Sequence, residues 1–227
     1  MELNYGPLIN RALALFKVRE KLSLSDESPA FQKPFITIAR EPGSGGAPIA
    51  ATLAKKLGFV LVDEQLVEEI ARKTKRRSAI IKEIDEKSRS KIEDLVHSIL
   101  NMEYLDEESY IQELVRTILT YAHQGRCVIL GRGANFITPF ARGLHVSITA
   151  PKEIRIQRAM DYENLSRRKA ENVITKVEEE RSNFVTQYFN SNTKKRNVFD
   201  LTINTAYFSV PKATEIILEA FKQKFPR

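Results

Sequence analysis

Residues 36–50, ITIAREPGSGGAPIA, set a glycine-rich turn between an apolar, strand-like run and a helix-like run. A strand that ends in such a turn and passes straight into a helix returns to its sheet in parallel, so this unit commits the chain to an α/β architecture. Glycine tolerates positive φ and lets a ligand come close to the backbone. The N–H groups of the turn and of the helix N-terminus, aided by the helix dipole, can then converge on a phosphate. Gly43, Ser44, Gly45, Gly46 and Ala47 are therefore a candidate phosphate cradle.

The cradle lacks its usual charge. The common loop pattern G-x-x-x-x-G-K-S/T ends in a lysine for the β- and γ-phosphates and a hydroxyl for Mg²⁺. Gly46 and Ala47 occupy those two positions here, and Arg40 stands where the first glycine would be. An arginine at the loop entrance can supply part of the missing charge, which makes Arg40 a candidate donor-phosphate residue.

Downstream, short apolar runs alternate with helical periodicity. Residues 35–39, 59–62, 127–131, 144–149 and 199–204 are the expected strands. Ile49, Ala50, Leu53 and Leu57 form one helical stripe, and Ile111, Leu114, Val115, Ile118, Leu119 and Ala122 a stronger one. The expected fold is a three-layer α/β domain with a parallel five-stranded sheet covered on both faces. Residues 1–34 read as an N-terminal helix and linker, and 35–227 as the domain. Within it, 64–125 contains only helix-like sequence and suits an acceptor-binding insertion, while the charged helix in 160–195 suits a lid.

Composition narrows the function classes. No apolar run approaches the roughly 18 residues that a membrane span needs, and the N-terminal stretch has no long apolar core before a small-residue cleavage site. Cys127 is the single cysteine, which excludes an internal disulfide, and it lies in an apolar run that favours a buried, inert thiol. These features point to the cytoplasm. The net charge of +7 permits an anionic ligand without identifying it. The densest basic stretch, residues 72–77, has no interleaved aromatics, so no nucleic-acid partner is expected.

Five further positions can carry chemistry. Arg132 follows a buried strand in Gly131-Arg132-Gly133 and offers a fork suited to bidentate phosphate recognition. Asp63 closes the second strand, where a carboxylate can hold Mg²⁺ or cap the following helix. Arg155 and Arg158 are spaced i,i+3 and share one helix face. Arg181 ends the run Glu178-Glu179-Glu180-Arg181 in the lid-like helix, from which an arginine could close over a transferring phosphoryl group. The bland reading of that helix is a salt-bridged surface. His97, His123 and His145 compose no site, and each reads as structural or exposed.

The ordered pieces ITIAREPGSGG, LGFVLVDEQLVEEIA, VILGRGANFI, HVSITAPKEIRIQRAM, EEERSNFVTQYFN and FDLTINTAYFSVPKA resemble the cytidylate kinase-like family, a branch of the P-loop nucleoside monophosphate kinases. The resemblance runs from about Phe35 to the C-terminus. It implies a P-loop NTPase-type fold with a helical acceptor region and lid, and ATP- and Mg²⁺-dependent phosphorylation of a small nucleotide, CMP or dCMP foremost. Gly43, Ser44, Gly45 and Gly46 would cradle the donor phosphates and Arg132 would hold the acceptor phosphate. Asp63 resembles the acidic residue closing the second strand, and Arg155, Arg158 and Arg181 resemble the lid-side arginines. The chain departs from the family at Ala47 and Glu179, where basic residues are common, and at Gly133, where true cytidylate kinases carry aspartate. A catalytically weak nucleotide-binding module is the alternative these departures leave open. The N-terminal helix leaves room for a homo-oligomer.

Overall fold

The computed structural model describes residues 31, 33–72, 89–90, 92–93, 96, 108–189 and 198–226. The expected N-terminal helix, His97, most of the basic stretch and the end of the lid region lie outside the described residues.

Five strands form one parallel sheet: β1 (Phe35–Arg40), β2 (Val60–Val62), β3 (Cys127–Leu130), β4 (Gly143–Thr149) and β5 (Leu201–Asn204). Their order is β2-β3-β1-β4-β5, so the glycine turn leaves the central strand. Helix α1 (Gly46–Leu57) follows β1, and α2 (Glu64–Arg72) follows β2. Helix α3 (Glu108–Gln124) leads into β3, and the short α4 (Ala134–Ile137) leaves it. Helices α5 (Lys152–Glu163) and α6 (Arg167–Phe189) separate β4 from β5, and α7 (Val210–Lys224) closes the chain. No helix of the described residues is long and apolar enough to cross a membrane.

The inner strands β1, β3 and β4 are buried on both faces along most of their length, whereas the edge strands β2 and β5 are partly exposed. Neighbouring residues of β3 show the two-sided burial: Ile129 packs with Val115 and Ile118 of α3, while Val128 packs on the other face with Leu53 of α1 and Ile217 of α7. The same geometry explains His145. It sits off-phase in the β4 alternation, yet it is fully buried, because the face it points to is covered as well. Its Nδ1 lies 2.6 Å from Thr37 Oγ1 on the neighbouring strand, and Phe140 meets the ring edge-on at 4.4 Å. Cys127 is buried as expected, its Sγ 3.3 Å from Tyr121 O, and burial pushes its thiol up to about 12.

The core begins before the sheet. Phe31 is fully buried, 6.3 Å from the Phe35 ring and 6.3 Å from His123 of α3. Three residues later Pro34 O accepts from Arg126 N at 2.8 Å, which ties this segment to the entrance of β3.

Candidate active site

The glycine turn has the backbone its sequence demands. Gly43 (φ 75°) and Gly45 (φ 83°) are both left-handed, where side chains are strained. Ser44 is buried, its N–H and hydroxyl both donating to Glu41 O at 3.2 and 2.8 Å. Gly45 caps α1 without a side-chain hydrogen bond, so the first N–H groups of α1 are left for water or a ligand. Gly46 is a glycine for a different reason: a Cβ there would stand 2.5 Å from Arg40 Cβ. The stem of Arg40 therefore fills the space that a lysine at this position would need.

Arg40 does not turn its guanidinium to the loop. A Cβ on Gly131, at φ 82°, would collide with Arg40 Nη1, so Gly131 makes room for that group at the end of β3. There Arg40 Nη2 donates to Glu64 Oε2 at 2.8 Å, and Arg132 Nη2 meets Glu64 Oε1 at 2.6 Å. Arg181 of α6 joins from above, with Nη1 donating to Arg40 O at 3.1 Å. Phe184, one turn further along α6, lies under Arg132 with its ring centre 5.4 Å from the guanidinium carbon. Three arginines from β1, the β3–α4 turn and α6 thus surround one carboxylate at the carboxyl edge of the sheet.

The three arginines act on one another and on Glu64. Burial first, and then the neighbouring Arg40 and Arg132, push the Arg181 guanidinium down to about 10. Burial works to raise the Glu64 carboxyl, but Arg132, Arg40 and Arg181 together hold it below its ordinary value.

These groups line a cleft of about 1190 Å³ that reaches from Arg40, Glu41 and Pro42 across Arg132 to Ser147, Thr149 and Asn204. Asn135 lines it too, only 4% exposed, and its Nδ2 meets no hydrogen-bond partner among the described residues. Nothing in the sequence singled out Asn135 or Glu64. One is the last letter of a glycine-rich turn, and the other follows an obvious cap.

The remaining predicted residues lie elsewhere. Asp63 Oδ1 accepts from Leu66 N at 2.9 Å, so the carboxylate caps α2. Among the described residues no three His, Cys, Asp or Glu side chains come together to hold a metal. Arg155 and Arg158 do share a helix face, and that face is turned onto the glycine loop. Arg155 is buried and spends its guanidinium on Ala150 O (2.8 Å) and Glu178 (2.7 Å), while its backbone packs on Gly43. Arg158 Nη1 and Nη2 donate to Thr205 Oγ1 and Thr205 O at 2.9 and 2.7 Å, with Gly43 O 3.3 Å away. Thr205 Oγ1 in turn donates to Ser44 O at 2.7 Å. Both arginines brace the loop from behind.

Solved structures share this architecture. An uncharacterized protein from Eubacterium ventriosum superposes with a TM-score of 0.65 at 22% identity, covering 85% of this chain and 99% of the other. TT1252 from Thermus thermophilus gives a TM-score of 0.50 at 18% identity, covering 86% of this chain and 100% of its own. No curated protein sequence matches. The sequence model of the cytidylate kinase-like family matches residues 35–207, from the first residue of β1 to the turn beyond β5, and the chain belongs to that family.

Proposed function

We propose that the chain transfers the γ-phosphoryl group of ATP to a nucleoside monophosphate, CMP or dCMP foremost, giving the diphosphate and ADP. The observation that carries this reading is the convergence of Arg40, Arg132 and Arg181 at the sheet edge, beside the entrance of the glycine loop. Phosphoryl transfer asks a protein chiefly for positioning and for positive charge around the phosphoryl oxygens. In this reading the N–H groups of Gly43, Gly45, Gly46 and Ala47 hold the donor phosphates. Arg132 holds the acceptor phosphate, and Arg181 reaches the transferring group from the lid. Arg155 and Arg158 act through the loop they brace. Mg²⁺ would arrive on ATP and take phosphate and water oxygens with at most one carboxylate, a common arrangement for this ion. Asp63 is the carboxylate nearest in sequence to that task.

Mass analysis after mixing the pure protein with Mg²⁺, ATP and each nucleoside monophosphate in turn tests this. A diphosphate from one preferred acceptor is the expected result. No product from any acceptor would overturn it.

A nucleotide-binding module without useful turnover is favoured by one specific observation: Arg40 leaves no room for a lysine at Gly46. Tight ATP binding without product would support it. The exposed Ala47 offers a probe, since Ala47→Arg should strengthen triphosphate binding if the loop cradles the donor.

A further inference from the structure

The Glu64 carboxylate is held by its two oxygens, one per arginine: Oε1 by Arg132 at 2.6 Å and Oε2 by Arg40 at 2.8 Å. A phosphoryl group offers guanidinium groups the same kind of two-oxygen edge. Glu41, Glu178, Glu179 and Glu180 line the same cleft, Glu41 and Glu178 paired with Arg155, whereas Glu64 sits on Arg40 and Arg132. The partners also differ in how they are built in. The side chains of Arg40 and Arg132 are 11% and 22% exposed, while that of Glu64 is 38% exposed. The arginines belong to the wall, and the carboxylate stands at the mouth, where it can return to water.

We propose that Arg40, Arg132 and Arg181 form one oxyanion site, that Glu64 is its resident anion in the unliganded protein, and that the phosphoryl group of the acceptor takes the arginines from Glu64 as it binds. The exchange rests on the reading of the acceptor as a phosphate monoester. It reassigns Arg40 from the donor loop to the acceptor. A dianionic phosphate attracts the same three cations about twice as strongly as a monoanionic carboxylate at equal distance, so the exchange runs toward the ligand. A neutral nucleoside offers nothing that could displace Glu64.

The alternative role for Glu64 is to align the arginines, and the two roles differ in sign. Isothermal titration of inorganic phosphate into the full chain and into Glu64→Gln distinguishes them. Removal of the competing charge should tighten phosphate binding by roughly tenfold or more. The melting temperature of Glu64→Gln without phosphate should lie below that of the natural chain, and phosphate should raise it by a larger step. Equal or weaker phosphate binding by folded Glu64→Gln would overturn the exchange. If Glu64→Gln does not fold, Glu64→Asp keeps the charge but is one methylene too short to span both arginines. A smaller tightening in that variant supports the exchange, and unchanged or weaker binding overturns it. Neither titration uses ATP or turnover. Tighter phosphate binding with no diphosphate product would leave the exchange standing and sink the kinase, whereas turnover with phosphate affinity indifferent to Glu64 would sink the exchange alone.

Discussion

Arg40 and Gly46 share one volume. A Cβ on Gly46 would lie 2.5 Å from Arg40 Cβ and 3.0 Å from Arg40 Cγ, so the arginine and the absent side chain are two halves of one choice. Installing the standard lysine by Gly46→Lys should therefore destabilise the fold by about 1–3 kcal/mol through overpacking. Combining it with Arg40→Gly should recover most of that loss. A thermal-denaturation double-mutant cycle measures the coupling, and additive effects would show that the two positions do not compete.

Arg181 is held in the fold at a cost. An arginine whose folded pKa lies below its ordinary value weakens the fold wherever both states carry the charge. That penalty is full at neutral pH and shrinks as the pH rises through about 10. Arg181→Gln should stabilise the ligand-free protein near pH 7 by roughly 1 kcal/mol after solvent screening. The advantage should narrow between pH 9.5 and pH 11 on the order of the pKa shift. Scanning calorimetry at three pH values reads this directly. If Arg181 serves the transferring group as proposed, the same variant should lose about 10²-fold in product formation.

Thr205 joins three elements, donating to Ser44 O and accepting from Arg158 while closing β5. Thr205→Val should cost about 1–3 kcal/mol by leaving buried partners unsatisfied. Its kinetic effect should fall on the donor, with the KM for ATP rising and the KM for the acceptor held. Steady-state kinetics with each substrate varied separately would show the split, and an effect confined to the acceptor would misplace the loop.

Asn135 carries a buried amide whose Nδ2 has no partner among the described residues. Asn135→Leu removes that unmet donor, so the melting temperature should hold or rise. If the amide serves the acceptor, the KM for the acceptor should climb by roughly tenfold with the KM for ATP unchanged. A variant that kept acceptor KM intact would make Asn135 a packing residue.

The sheet was legible because its physics is local. Strands buried on both faces need runs of apolar residues, and β1, β3 and β4 all fall where such runs stand. Gly43 and Gly45 were legible for the same reason, since left-handed turns need glycine. Arg132 could be placed from its position after β3 alone. Glu64 could not, because its partners Arg40 and Arg132 come from other strands and leave no spacing signature. The shared face of Arg155 and Arg158 followed from their i,i+3 spacing, but spacing cannot say what that face meets. It meets Gly43 and Thr205, which only the packing of α5 on the loop reveals.

Phe31 has a practical consequence for where this unit can be cut. The family match begins at residue 35, four positions after a ring that sits wholly inside the core against Phe35 and His123. A fragment trimmed to the first strand would keep every strand and the whole cleft, yet open a phenyl-sized hole beneath α3. Losses of that kind run to about 3–5 kcal/mol, a large share of the stability of an ordinary domain. The smallest piece that stands on its own therefore starts upstream of the stretch by which the family is recognised.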